Sequence, residues 1–311
     1  MLDICLMLKT YAPDIAYAER LVRSFHRHNS DSLQLYVVVP SADLTMFKKL
    51  GGGNVELIVD EDIPVSYASA SQAEGRDLGF VNAGISKLGF WELDVCKNYF
   101  SVDSDLVFIR NFSRSDFLDE EQSPYLVCTE ARDLAADPFY FRRYWLDRQA
   151  AVESVARQLG VLTQSSSSYH TVQVLNAEIL QGLKAGHLDP QGLDYLDLMI
   201  SVPWEYFWYT TYALHQTQIR VRRCDEMVKV IHHQGQHLAL LDMGLTEADL
   251  ARSYLGITVN SNWSRQYGLV NFDNAPVAAY RAAGEWAHWH SSRAGARQGV
   301  LPLSWLSPSK P

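Results

Sequence analysis

Tyr99-Phe100-Ser101-Val102-Asp103-Ser104-Asp105-Leu106-Val107-Phe108 is an apolar run broken by two carboxylates one residue apart. Lys97 to Val102 reads as a strand that runs into the acidic turn, and Leu106 to Ile109 leaves it. In an open α/β sheet, ligands bind just past the C-terminal ends of the strands. Two acids at such a place are costly to ionise together unless something positive joins them. A divalent cation that prefers hard oxygen ligands, Mn²⁺ or Mg²⁺, suits the pair and bridges to a diphosphate. A bare Asp-x-Asp is also a common solvated turn, so the weight of the reading falls on its surroundings.

Upstream of the turn, the chain alternates. Ile4 to Leu8 is a continuous apolar run, as in a strand buried on both faces. Ala16 to His28 carries Ala18, Leu21, Val22 and Phe25 at helical spacing, with Arg and His toward its end, where cations suit the helix dipole. Leu33 to Val39 reads as a second strand closed by Pro40, Ala42 to Leu50 as a short helix stopped by Gly51-Gly52-Gly53, and Val55 to Val59 as a third strand. This alternation predicts a parallel sheet with covering helices. Residues 60–80, acidic and then rich in Ser, Ala and Gly, read as a loop over a site, and Asn82 to Val95 as a helix. Downstream, Pro138 to Leu159 reads as helical and Ser165 to Ser168 as a polar loop. Val172 to Leu183 reads as a strand end and a helix, and Pro203 to His215 as a helix with Pro in its first turn. Ile219 to Arg223 and Met227 to Ile231 read as strands, and residues 291–311 as a flexible tail.

Apolar residues make up 47% of the 311 residues and charged residues 20%, the balance of an ordinary globular enzyme. The formal charge of −9 repels phosphate backbones, which argues against nucleic acid as a general partner. An anionic substrate then needs a local positive element or a metal ion. The four cysteines, Cys5, Cys96, Cys128 and Cys224, form no C-x-x-C pair and read as small buried hydrophobes in a reducing cytosol. No run approaches the roughly 18 apolar residues of a transmembrane helix, and Met1 to Lys9 lacks the pattern of a signal peptide. The expectation is a cytoplasmic protein without a transmembrane segment.

Several stretches together resemble a known family. They are Lys9-Thr10-Tyr11-Ala12-Pro13-Asp14, Arg20-Leu21, Ser24-Phe25, Leu35-Tyr36-Val37-Val38-Val39-Pro40, Asp43 and Phe47, Lys87-Leu88, Val102-Asp103-Ser104-Asp105 with Phe108 and Phe112, and Trp204-Glu205-Tyr206-Phe207-Trp208-Tyr209. Over about residues 3–215 the chain resembles a family of bacterial glycosyltransferases, the DUF6492 group. Asn82-Ala83-Gly84-Ile85 stands where that family carries a Gln pair. The resemblance implies an α/β fold of the GT-A-like (Rossmann) type, with a mixed central sheet flanked by helices, in one catalytic domain over residues 1–290. About residues 1–115 would hold nucleotide and metal, and about residues 116–290 the acceptor. It implies a metal-dependent glycosyltransferase that moves a sugar from a nucleotide-sugar donor, a UDP- or GDP-sugar, to a glycan or other glycoconjugate acceptor, with Mn²⁺ or Mg²⁺ as cofactor.

Within that frame Asp103 contacts the metal through water, or the ribose, and Asp105 ligates it directly. Thr10, Tyr11, Asp14 and Ser104 belong to the nucleotide site; the bland alternative is an ordinary β–α turn in which Asp14 stabilises the helix start. Lys87 offers its ammonium to a donor phosphate, or is a snorkelling surface lysine. Glu205 is the candidate general base, with Trp204, Tyr206 and Tyr209 as flat faces for an acceptor sugar. The alternative there is a core aromatic helix with Glu205 favourably placed in its first turn. GT-A-type enzymes often add a late histidine to the metal, which points to His232 or His233. His170 is a further acceptor-side candidate. Two rival readings stand: a phosphatase of the haloacid-dehalogenase type with Asp103 as nucleophile, for which no Gly-Asp-x-x-x-Asp follows, and a non-catalytic saccharide-binding protein.

Overall fold

The computed structural model describes residues 1–73, 75–162 and 172–283. His170, the loop Ser165–Ser168 and the tail over 291–311 lie outside the described residues. The strands, in chain order, are β1 (Leu2–Lys9), β2 (Leu35–Val39), β3 (Val55–Val59), β4 (Cys96–Val102), β5 (Leu106–Phe108), β6 (Tyr125–Val127), β7 (Gln173–Asn176), β8 (Arg222–Cys224), β9 (Val228–Ile231) and β10 (Gly256–Val259). The central sheet has the order β3-β2-β1-β4-β7; its first four strands are parallel, and β7 joins β4 antiparallel. The fold is therefore α/β with a mixed central sheet flanked by helices, as expected.

Alternation along the strands sorts the core. From β1, Cys5 and Met7 face one side, and from β2 Tyr36 and Val38 join them; they pack with Val81, Ile85 and Leu88 of the helix Leu78–Gly89 and with Phe207 and Trp208 of the helix Glu205–His215. Ile4, Leu6 and Leu8, with Leu35, Val37 and Val39, face the other side against Ala18, Leu21 and Phe25 of the helix Ile15–His28. Strands covered on both faces need unbroken apolar runs, which is why Ile4–Leu8 and Leu35–Val39 were legible as strands.

The acidic turn lies where the chain changes sheets. A reverse turn, with Leu106 N–H donating to Asp103 O at 3.1 Å, carries the chain from β4 into β5. Strand β5 runs antiparallel to β10, and β10 parallel to β9. Gly256 permits this pairing: a Cβ there would stand 2.7 Å from Val107 O and 2.6 Å from Leu106 Cδ1. The remaining pair is parallel, β6 with β8.

Two boundaries differ from expectation. The helix expected over Asn82–Val95 runs Leu78–Gly89, opened by Asp77, whose side chain accepts from Phe80 N–H. Two of its glycines are packing residues: a Cβ on Gly84 would meet Met199 Cε at 2.1 Å, and one on Gly89 would meet Val65 Cγ1 at 2.3 Å. The aromatic helix begins at Glu205 with Trp204 as its N-cap, so Pro203 stands just outside the first turn. Among the described residues, no helix is long and apolar enough to cross a membrane.

Candidate active site

Three segments remote in sequence converge on one ammonium. Lys87 sits in the last turn of the helix Leu78–Gly89, Asp103 directly follows β4, and Glu205 opens the aromatic helix. Lys87 Nζ donates to Asp103 Oδ1 at 2.7 Å and to Glu205 Oε1 at 2.9 Å. The side chains of Lys87 and Glu205 are 7% and 5% exposed, whereas that of Asp103 is 33% exposed, so Asp103 is the member open to solvent. Burial works against the Lys87 charge, but Asp103 and Glu205 outweigh it and hold its pKa above the ordinary lysine value. Gly84 lies beside the meeting point. A Cβ there would lie 3.5 Å from Glu205 Oε2, and Lys87 follows three residues later on the same helix face.

The other half of the acidic turn is held differently. Ser104 Oγ donates to Thr10 Oγ1 at 3.0 Å, tying the turn to the end of β1. Asp105 is buried, and its Oδ2 accepts from Ser261 N–H at 2.7 Å, at the start of the short helix after β10. Its Oδ1 is buried with no hydrogen-bond partner. Burial, and then the neighbouring Asp103 charge, push the Asp105 carboxyl up to about 6. An orphaned carboxylate oxygen beside a second acid fits a cation, which Asp103 and Asp105 would hold. Among the described residues no group of three or more His, Cys, Asp and Glu side chains is gathered to hold a metal.

Around this centre, Thr10 is buried and Tyr11 is exposed. Asp14 makes no side-chain cap at the helix start; it pairs with Arg265 at 2.5 Å, and that guanidinium lies 5.7 Å from the centre of the Tyr17 ring. Burial raises the Asp14 pKa, and Arg265 only partly offsets it. Lys9 Nζ pairs with Asp60 Oδ2 at 2.8 Å, and Asp60 follows β3 at the same edge of the sheet. Behind the turn, Arg20 donates to Val270 O at 2.7 Å and Asn271 Oδ1 at 2.6 Å, and shares with Asp105 a small cavity also lined by Val107 and Phe272.

The aromatic run is mostly core. Nine of the eleven residues of its helix are buried, so it is enclosed on all sides and has no open face. Tyr209 O–H accepts from Asn176 N–H at 3.0 Å, Trp208 Nε1 donates to Val202 O at 3.0 Å, and Tyr206 O–H accepts from Arg148 Nη1 at 3.1 Å. Tyr206 and Tyr209, read from the sequence as acceptor faces, are thus packing residues with engaged hydroxyls. Trp204 alone among the named aromatics is half-buried, with the Arg148 guanidinium 5.7 Å from its ring centre. Asp194 and Asp197 form a capping box on the helix Tyr195–Ser201.

Among the described residues, neither candidate histidine is gathered with the acidic turn into a group of three or more such ligands. His233 Nε2 pairs with Asp137 Oδ2 at 2.8 Å, and its Nδ1 accepts from Gln236 N–H at 3.3 Å, so both ring nitrogens are engaged. His232 packs edge-on to Tyr140 at 4.8 Å. His237, fully buried, lies between Phe272 O at 2.9 Å from Nε2 and Tyr280 O–H at 3.3 Å from Nδ1. A neutral ring satisfies both, donating from Nε2 and accepting at Nδ1, and burial lowers its pKa. A folded-state value below the unfolded one contributes stability above the unfolded value of about 6.5, lost as pH falls through the lowered value. The urea midpoint is therefore expected to fall from pH 7.5 to pH 5, and to fall less in His237→Gln; equal falls would remove His237 as a cause.

Ser261, Arg20 and Asp60 were not singled out as site residues by sequence. Asp60 alone left a signal, an acid directly after an apolar strand.

No protein-family model matches the chain, so its resemblance to the DUF6492 group rests on the stretches quoted above. No curated protein sequence matches it either. The crystal structure of mouse xyloside xylosyltransferase 1 in its apo form is similar over 84% of this chain and 99% of that one, with a TM-score of 0.46 and 12% sequence identity.

Proposed function

We propose that the chain is a metal-dependent glycosyltransferase that moves a sugar from a nucleotide-sugar donor, a UDP- or GDP-sugar, to a glycan or other glycoconjugate. The observation that carries this reading is the Asp103-Ser104-Asp105 turn. It follows the central strand β4, is bonded to the end of β1 through Ser104 and Thr10, and holds an unpartnered buried carboxylate oxygen. The nucleotide lies over the loop after β1, against Thr10, Tyr11, Asp14 and Ser104, in the half of the chain up to about residue 115. Asp103 and Asp105 hold Mn²⁺ or Mg²⁺, which when bound supplies Lewis-acid stabilisation of the departing nucleoside diphosphate. Lys87 adds a point charge beside it. Glu205 is better suited to anchoring Lys87 than to serving as an exposed base, because it is buried and already accepts from that ammonium. Trp204 offers its ring to the acceptor, in the later half of the chain.

The test is a panel of UDP- and GDP-sugars and phosphate monoesters, with and without Mn²⁺. Release of nucleoside diphosphate that depends on Mn²⁺ is expected. Hydrolysis of phosphate esters without such release would favour the phosphatase reading, and binding of saccharides with no turnover at all the non-catalytic one.

A further inference from the structure

We infer that Lys87 is a resident counter-cation on Asp103 which a divalent ion must displace, and that the displaced ammonium is then taken up by the donor diphosphate. The inference rests on the function proposed above and concerns how that site exchanges its charges. Lys87 Nζ stands 2.7 Å from Asp103 Oδ1, where a cation on that carboxylate would also bind. The ammonium and a divalent ion at the same carboxylate repel at close range, and burial of the Lys87 side chain limits the screening of that repulsion although Asp103 itself is open to solvent. Lys87 holds Oδ1 alone, and the repulsion favours its shift off Asp103 once the divalent ion is bound there.

Glu205 makes the exchange feasible. A buried ammonium without a partner is strongly disfavoured, but Lys87 keeps Glu205 Oε1 at 2.9 Å when it gives up Asp103. An ammonium has three N–H donors, and Asp103 and Glu205 take two of them. A donor phosphate oxygen has the chemistry to accept from Lys87 in place of Asp103. Four flexible methylenes allow such a shift without movement of the helix backbone. The three side chains carry one positive and two negative charges, and Asp105 adds a third acid. The site therefore carries net negative charge until a doubly charged ion enters and is neutral afterwards, so an anion is repelled before the ion binds and not after. This orders the events: divalent ion first, donor second.

The experiment measures Mn²⁺ binding to the full chain without donor, from the electron paramagnetic resonance signal of the free ion. Removing a unit charge at hydrogen-bond distance from the ligand oxygen is expected to tighten Mn²⁺ binding to Lys87→Gln by about tenfold or more. With Mn²⁺ saturating, UDP and GDP are expected to bind that variant about tenfold more weakly than the wild type, because the point charge is gone. Mn²⁺ binding equal to or weaker than wild type in the variant overturns the inference while leaving the proposed function standing. Unchanged UDP and GDP affinity overturns the transfer of the ammonium to the diphosphate. Failure of both proteins to bind Mn²⁺ overturns the inference together with metal dependence. Should Lys87→Gln fail to fold with Glu205 left unpaired, the double variant Lys87→Gln/Glu205→Gln is judged by the same outcomes, since it buries no lone charge.

Discussion

Asp105→Asn is expected to lower Mn²⁺-dependent turnover of the donor by about a hundred- to a thousandfold, the scale on which loss of one electrostatic contact to the developing charge is felt. Asn has nearly the shape of Asp, and its side-chain oxygen can still accept from Ser261 N–H, as Asp105 Oδ2 does at 2.7 Å. What disappears is the charge. In the metal-free protein that charge is unwelcome: burial and Asp103 push the Asp105 carboxyl up to about 6. The substitution should therefore leave the thermal midpoint unchanged or raise it slightly. Matched measurements of kcat/KM and of the melting curve decide the matter. A lost activity that tracks a lowered midpoint would make Asp105 a structural residue of the turn. Full activity in a folded variant would remove the acidic turn from catalysis.

Trp208→Ala is expected to cost about 3–5 kcal/mol of stability, the range for removing a large buried aromatic. Trp208 is fully buried, and its indole N–H satisfies Val202 O at 3.0 Å. Truncation therefore leaves a cavity and removes one of the two hydrogen bonds to Val202 O, which keeps that from Trp204 N–H at 2.9 Å. Trp204→Ala should cost less, about 1–2 kcal/mol, because its ring is only partly buried. If the Trp204 ring receives the acceptor, its loss raises the acceptor KM with little change in kcat. Urea denaturation of the two variants separates core from surface within one short run of aromatics. A loss at Trp204 as large as that at Trp208 would put both rings in the core and leave the acceptor without a platform here.

Residues adjacent in sequence thus have opposite roles, and periodicity could not tell them apart. Trp204, Tyr206, Trp208 and Tyr209 offer the same chemistry on paper. Burial differs because the helix Glu205–His215 is packed by the helices Leu146–Gln158, Ala177–Leu183 and Tyr195–Ser201, whereas Trp204 is its N-cap and stands just before the enclosed turns. The helix Leu78–Gly89 likewise begins inside the stretch 60–80 that reads as a loop, and the space left by its Gly84 and Gly89 is filled by Met199 and Val65.

Local chemistry by itself determined the strands β1 to β4, the helix after β1 and the place of the acidic turn at the end of an apolar strand. Strands buried on both faces must be continuously apolar, and a helix with one wet face must repeat near every fourth residue, so both leave their pattern in neighbouring residues. Only the tertiary structure decided which groups meet. Lys87, Asp103 and Glu205 lie 16 and 118 residues from one another along the chain as counted from Lys87, and Ser261 reaches Asp105 from 156 residues away. No local pattern encodes such contacts, because the side chains that make them are selected by the packing of whole elements, through the room that Gly84 and Gly256 leave.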